Sequence, residues 1–107
     1  MRARRDGRAA LLALLDPDVA LRTDPEGVRL GAPREILGAH AVATVFAEYA
    51  SGVQPALVGG LAGAVWAPGE RTRVAYVFTV ADGTITAINR VADRERLREL
   101  EPVILEG

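Results

Sequence analysis

Tyr76 and Asn89 are the two polar side chains that the sequence places best for holding a small molecule. They lie in two apolar segments, RVAYVFTVA and TITAINRV, which are separated only by Asp82-Gly83. An Asp-Gly pair favours a two-residue type I′ turn, because both central positions of that turn require a positive φ. The resulting register pairs Tyr76 with Asn89 on one face of the sheet. Such a pair can orient a ligand in an apolar pocket, or its members can satisfy each other within the core.

The same register divides the other side chains of this hairpin between two faces. Phe78 joins the tyrosine and the asparagine on the face that we expect to be the core side, where it would also contact a ligand. Val77 and Ile88 fall on the opposite face. A second hairpin around residues 68–71 adds Trp66 to that opposite face, which then becomes too apolar for a purely solvated surface. We therefore predict that this outer face is an interface, with a homodimer as its simplest form.

Other residue types that carry chemistry are scarce. The chain has no cysteine and no lysine, which excludes a thiolate metal site, a disulfide and a Schiff-base lysine. His40 is the only histidine, and it falls opposite the apolar stripe of its predicted helix, so we expect it to be exposed. No second histidine can complete a zinc or iron site, and we expect neither a metal nor a cofactor. Gly59-Gly60 lies between strands, which favours a bend over a phosphate-binding loop.

The elements that position these residues follow from periodicity and capping. Helices are predicted from Asp6 to about Leu15, from Ala39 to Ala50, and after the cap Asp93 to Leu100. The segment from Asp24 to Gly27 has the composition of a turn, and Val28–Leu30 is predicted to be extended. Strands are predicted at Val19–Thr23, Arg34–Leu37, Val53–Val58, Leu61–Ala67, Thr72–Val80 and Thr84–Val91. The whole chain, 1–107, is predicted to form one α+β domain with an antiparallel meander.

The composition restricts the class of protein. Half of the 107 residues are hydrophobic, a quarter are charged, and the net charge is −1, which is typical of a soluble domain. This charge gives no general case for binding nucleic acid or an anionic membrane. The apolar runs are too short for a transmembrane helix, and the N-terminus lacks a signal-peptide core. We expect a cytoplasmic location.

Several segments carry a resemblance to a known family. Leu-Leu-Asp-Pro-Asp-Val at 14–19, Gly-Ala-His-Ala-Val at 38–42 and the Asp-Gly turn resemble the SnoaL-like branch of the nuclear-transport-factor-2-like superfamily. Within that branch, QPALVGGLAG at 54–63, FTVADGTI at 78–85 and VADRERL at 91–97 resemble the C-terminal accessory domain of extracytoplasmic-function sigma factors of the sigma-70 family.

The resemblance implies a fold and a function. The implied fold is a cone-like curved sheet wrapped around N-terminal helices, with the first helix shortened to its final turns. The function is a non-enzymatic regulatory domain that modulates transcription initiation by contacting a sigma factor, RNA polymerase or its own twin, or by sensing a small hydrophobic ligand. The DNA-binding and polymerase-binding regions of a sigma factor are not in this sequence. We therefore expect a stand-alone relative or a fragment of a larger factor.

The same superfamily implies an alternative. Its ketosteroid isomerases and polyketide cyclases use a carboxylate in the pocket as general base, and Asp24 matches that base by position. Asp24 would then be catalytic, and burial would raise its pKa into a useful range. An aspartate before a proline is also a common capping and turn residue. The hydrogen-bond donors that the isomerases need are not clearly present in the sequence, so the non-enzymatic hypothesis comes first.

Overall fold

A computed structural model describes residues 11–48 and 52–105 of the chain. Residues 11–14 are helical and lead directly into the first strand. The elements that follow are β1 (Leu15–Thr23), α1 (Pro25–Arg29), β2 (Glu35–Leu37), α2 (Ala39–Glu48), β3 (Val53–Val58), β4 (Leu61–Trp66), a 3₁₀ turn (Pro68–Glu70), β5 (Val74–Ala81), β6 (Thr84–Val91), α3 (Arg94–Leu100) and β7 (Val103–Ile104). The strands form one sheet in the order β2-β1-β6-β5-β4-β3-β7. This confirms the predicted α+β class.

Most element boundaries agree with the sequence prediction to within a few residues. The cap of α3 is confirmed, because the Asp93 carboxylate accepts a hydrogen bond of 3.0 Å from the backbone N–H of Arg96. Asp6 and Tyr49, which the predicted helices included, lie outside the described residues. Within residues 11–48 and 52–105, no helix is long and apolar enough to cross a bilayer.

The segment after β1 differs from the prediction. Asp24 accepts a hydrogen bond from the N–H of Gly27 and caps α1, with Pro25 in the first helical turn. An acidic cap followed by proline is a strong start signal for a helix, and it overrides the extended conformation predicted for Val28–Leu30. β1 itself runs parallel to β6, a pairing that joins distant parts of the chain and that a meander does not predict.

The β5–β6 hairpin begins as predicted and then slips by one residue. Asp82 and Gly83 have φ of 53° and 80°, as a type I′ turn requires. A β-bulge follows, because Val80 pairs with Ile85 but Thr79 pairs with Ala87. The predicted pairing of Tyr76 with Asn89 is therefore wrong. Arg90 lies opposite Tyr76, and Asn89 lies opposite Val77.

The β4–β5 hairpin is also shifted by one residue from the prediction. Trp66 pairs with Val74 and Ala64 pairs with Tyr76. The 3₁₀ turn between the strands allows this register, and Arg73 closes it by donating a 2.9 Å backbone hydrogen bond to Trp66. Because a shift of one residue exchanges the two faces of a strand, Trp66 lies on the Tyr76 face.

Both faces of the sheet are covered by helices. The α2 face carries Leu21, Tyr76 and Ile88, which pack against Val42 and Phe46 of α2. The α3 face carries a second apolar cluster that packs against α3; its members are Ala56, Val58, Val65, Ala67, Ala75, Val91 and Leu97. The sheet therefore has two cores rather than one core and one open surface.

The predicted interface of Trp66, Val77 and Ile88 does not form one surface. Ile88 is 1% exposed within the α2-face core, and Trp66 packs half-buried against that same core. Val77 is half-buried on the opposite face, where it packs against the α3 cluster. The prediction failed because the bulge and the 3₁₀ turn each move the register by one residue, and because α3 covers the face that was expected to be open.

Candidate functional site

The site with the most unusual chemistry surrounds Tyr76 and Arg90. The two residues are register partners on β5 and β6, and they are 2% and 6% exposed. The guanidinium carbon of Arg90 lies 5.9 Å from the centroid of the Tyr76 ring, within the range of a cation–π contact. A cation is thus buried in the α2-face core beside an aromatic ring.

An aromatic cluster fixes the Tyr76 ring. Its centroid lies 4.8 Å from that of Phe46, with the two ring planes inclined by 53°. Phe46 also meets Phe78 edge-on, at 6.4 Å and 80°. Such tilted arrangements are favoured between aromatic rings and add to the hydrophobic contribution of burial. α2 therefore positions both aromatic residues that the sequence assigned to the ligand-binding face, Tyr76 and Phe78.

Arg90 lacks the partners that a buried arginine normally has. Its Nε and Nη2 atoms are buried and have no hydrogen-bond acceptor among the described residues. The ion pairs found in the described part of the chain, Arg22–Glu35 and Arg29–Glu26, do not involve it. The hydroxyl of Thr23, the register partner of Arg90 on β1, is also buried and has no partner within the described part of the chain. Buried polar atoms are nearly always paired, so this cluster of unpaired atoms marks the region as a candidate site.

A cavity of about 330 Å³ adjoins Arg90. Trp66, Tyr76 and Arg90 line it from the sheet. Its remaining walls are small or apolar, and they come from α1, from the loop that follows α1 and from nearby strand positions; they are Gly27, Leu30, Gly31, Ala32, Pro33, Val74 and Ala92. Largely apolar walls with one charged group are typical of a small-molecule site.

Asp24, the predicted catalytic base, has a different role. One carboxylate oxygen accepts the N–H of Gly27 at 2.8 Å. The other accepts the N–H groups of Ala92 and Asp93, each at 3.0 Å. Asp24 does not line the cavity beside Trp66 and Tyr76, but together with Arg90 and Arg96 it lines a neighbouring cavity of about 380 Å³. Its carboxylate links the start of α1 to the junction of β6 and α3 through these hydrogen bonds. This agrees with the capping role that the sequence also allowed.

The remaining predicted site residues do not come together. Asn89 is exposed on the α3 side of the sheet, so it does not share a surface with Tyr76 and Phe78. His40 is exposed, as predicted. Gly59 and Gly60 form the tight turn between β3 and β4, with φ of 60° and 82°. In the described ranges, no group of three or more histidine, cysteine or acidic side chains is placed to hold a metal ion.

The sequence prediction did not include Arg90 among the site residues, although the sequence contains a signal that places it in the core. Ile85 and Ile88 are three residues apart and cannot share a face in a regular strand. Both are nevertheless buried in the α2-face core, at 7% and 1% exposure. A β-bulge, which inserts one extra residue between them, allows both to be buried on the same face. The same bulge places Arg90 on that face.

Comparison with known proteins defines the fold. No protein-family model matches the sequence, and neither does any curated protein. The chain is similar to the extracytoplasmic function sigma factor SigJ of Mycobacterium tuberculosis, with 25% identity and a TM-score of 0.61. That match covers 91% of this chain and 40% of the sigma factor, so the chain spans well under half of that protein's length. The matching part of SigJ is its C-terminal domain.

Two further structures share the fold at lower identity. One is TerC, which was co-crystallized with polyporic acid; it is 16% identical, with a TM-score of 0.52 over 92% of this chain and 89% of TerC. The other is a protein with this fold from Burkholderia xenovorans, 21% identical, with a TM-score of 0.50 over 92% of this chain and 87% of that one. The chain therefore has the nuclear-transport-factor-2-like fold of the SnoaL-like type, and it is similar to the C-terminal domain of a sigma factor.

Proposed function

We propose that the chain is a non-enzymatic regulatory domain that acts on transcription initiation through contact with a sigma factor or RNA polymerase. The observation that carries this proposal is the similarity to the sigma factor SigJ, which extends over 91% of this chain at 25% identity. The proposal also agrees with the position of Asp24. Both oxygens of its carboxylate already accept backbone N–H groups, which supports a structural role over that of a general base.

The contact surface that we assign lies at the β7 edge of the sheet. Leu57 and Val103 are register partners on β3 and β7, and they are 39% and 57% exposed. Leu105, the residue after β7, adds a third exposed apolar side chain, with 48% exposure. Contiguous exposed apolar residues at a sheet edge favour association with a partner. The homodimer predicted from the sequence stays a prediction. If it forms, this edge is better suited to it than the half-buried Trp66 and the buried Ile88.

The direct test measures binding of the purified chain to two separate partners. The chain is immobilised, and either an extracytoplasmic-function sigma factor or core RNA polymerase from the same source is applied as the analyte in biolayer interferometry. We expect saturable binding to one of them, which the free chain competes away. The absence of binding to both would contradict the proposal.

Matched variants test the surface. We expect the double variant Leu57→Glu, Val103→Glu to lose binding, because it places two charges at the centre of the apolar patch. The control is Leu37→Glu, which changes a 63% exposed leucine on β2, the opposite edge of the sheet. Binding that is equally strong in both variants would contradict the assignment to the β7 edge.

The enzymatic alternative has its own test. The chain is incubated with a β,γ-unsaturated 3-ketosteroid, and formation of the conjugated isomer is followed by ultraviolet absorbance. We expect no conversion above that of an Asp24→Asn variant. Conversion by the wild-type chain that this substitution abolishes in a folded variant would favour the isomerase hypothesis instead.

A further inference from the structure

We propose that the cavity beside Arg90 binds a small monocarboxylate with an apolar body, and that Arg90 holds the carboxylate group. This inference goes beyond the proposed function and does not depend on it. A carboxylate can occupy the cavity whether or not the chain contacts a sigma factor. It also revises the small hydrophobic ligand implied by the sequence resemblance into a ligand with one negative charge.

The first support is the burial of an unpaired cation. Arg90 is 6% exposed, and no acidic side chain of the described residues pairs with it. The guanidinium group of an arginine keeps its charge in proteins, so the cost of burying it is relieved only by a partner. The contact with the Tyr76 ring offsets only part of the desolvation of the charge. Nε and Nη2 are closed to solvent in the structure, so an anion in the adjoining cavity would complete the pairing once the guanidinium turns toward it.

The second support is the identity of the unpaired atoms. Nε and Nη2, the two nitrogens without an acceptor, are neighbours along one side of the guanidinium group. Their N–H bonds point in parallel and match the spacing of the two oxygens of a carboxylate. A bidentate pair through these atoms fixes both the position and the plane of the carboxylate. The planar geometry therefore favours a carboxylate over a simple inorganic anion.

The third support is the size and character of the cavity. Its volume of about 330 Å³ lies at the lower end of the range of small-molecule sites, roughly 300–1,000 Å³. Trp66 and Tyr76 offer aromatic surfaces, and the loop after α1 contributes apolar side chains such as Leu30 and Pro33. These walls suit an aromatic ring or a short acyl chain attached to the carboxylate.

The test uses the only tryptophan of the chain, Trp66, as a reporter in the cavity wall. Benzoate, benzamide and inorganic phosphate are titrated separately into the wild-type chain, and tryptophan fluorescence and melting temperature are both recorded. We expect benzoate to bind about 10- to 100-fold more tightly than benzamide, because only benzoate forms charge-assisted hydrogen bonds with the guanidinium. We expect benzoate alone to raise the melting temperature.

Three variants assign the binding to Arg90. We expect Arg90→Met to remove the preference for benzoate over benzamide. Arg90→Lys keeps the charge but lacks the two parallel N–H groups of the guanidinium. We expect this variant to retain only part of the preference for benzoate. The matched control is Arg98→Met on α3, an exposed arginine that does not line the cavity, which should bind benzoate like the wild type.

Several results would overturn the proposal. Equal affinity of the wild-type chain for benzoate and benzamide would do so, and this comparison needs no variant to fold. Phosphate that binds as tightly as benzoate would overturn the assignment of a carboxylate. Unchanged benzoate binding in a folded Arg90→Met variant would show that another group holds the anion. A wild-type chain whose fluorescence and melting temperature respond to none of the three probes would also contradict it.

Discussion

Asp24, which follows β1, and Arg90, on the neighbouring strand β6, carry opposite charges and differ in how the folded chain pairs them. Their backbones are joined, since the N–H of Asp24 donates a 2.9 Å hydrogen bond to the carbonyl oxygen of Arg90. The Asp24 carboxylate accepts three backbone hydrogen bonds within the folded chain. The Arg90 guanidinium is more deeply buried, yet its Nε and Nη2 atoms have no partner among the described residues.

This difference separates a structural charge from a candidate functional one. A buried charge whose hydrogen bonds are all supplied by the chain contributes to folding and has little capacity left for a ligand. A buried charge without partners is destabilising unless something from outside the chain binds to it. Removing the two charges should therefore have opposite effects on the free energy of unfolding.

The largest effect is expected for Asp24→Ala. The substitution removes the cap of α1 and leaves the N–H groups of Ala92 and Asp93 without an acceptor. We expect the free energy of unfolding to fall by about 2–4 kcal/mol. Urea denaturation followed by circular dichroism measures this change. A smaller loss is expected for Asp24→Asn, which keeps one acceptor oxygen.

The control for Asp24 is Asp18→Ala, which changes an exposed aspartate of β1, the strand that precedes Asp24. We expect this control to shift the free energy of unfolding by no more than about 0.5 kcal/mol, as is usual at exposed positions. If the two alanine variants were equally stable, the three hydrogen bonds of Asp24 would not contribute to folding, and the contrast with Arg90 would fail.

A change in the other direction is expected for Arg90→Met. Methionine fills a similar volume without a charge, so the penalty of burying an unpaired cation disappears and the contact with Tyr76 is lost. In the absence of ligand, we expect the free energy of unfolding to stay within about 1 kcal/mol of the wild type or to rise. The same urea experiment applies. A loss of more than about 2 kcal/mol would indicate that the guanidinium has stabilising partners in the folded chain.

The smallest effect concerns Glu26, an exposed charge in the helix that Asp24 caps. Arg29 donates hydrogen bonds to Glu26 and lowers the pKa of Glu26 below its usual value of 4.5. The contribution of this pair to stability is therefore fully present above pH 4.5, and it is lost as the pH falls through the lower pKa of the folded state. The sign follows because the unfolded chain takes up the proton first.

The difference in stability between the wild type and Glu26→Gln measures this contribution. We expect it to be small at neutral pH, because the pair is solvated, and to vanish in acid. A difference that persisted well below pH 4.5 would show that the carboxylate charge is not its source. Together, the substitutions at Asp24, Arg90 and Glu26 compare how much three kinds of charge contribute to the free energy of unfolding. One has backbone partners, one has no partner among the described residues, and one is solvated.

The sequence predicted the helices, strands and turns well, but it predicted less well which face of the sheet each side chain occupies. The Asp-Gly turn, the cap at Asp93 and the apolar stripe of α2 are local signals, and each was confirmed by the structure as far as it describes them. The pairing of Tyr76 was wrong because a single bulge reverses the faces of every later position in the strand. The parallel pairing of β1 with β6 was not predicted either, because no short-range pattern links strands so far apart.

The sequence by itself determined the α+β class, the turns, the caps and the resemblance to sigma-factor accessory domains. These properties depend on neighbouring residues and on the order of the elements along the chain. Only the tertiary structure decided that Asp24 is fastened to backbone N–H groups and that Arg90 is buried beside Tyr76. The physical reason is that burial and pairing depend on register between strands, and register is fixed by contacts among distant residues.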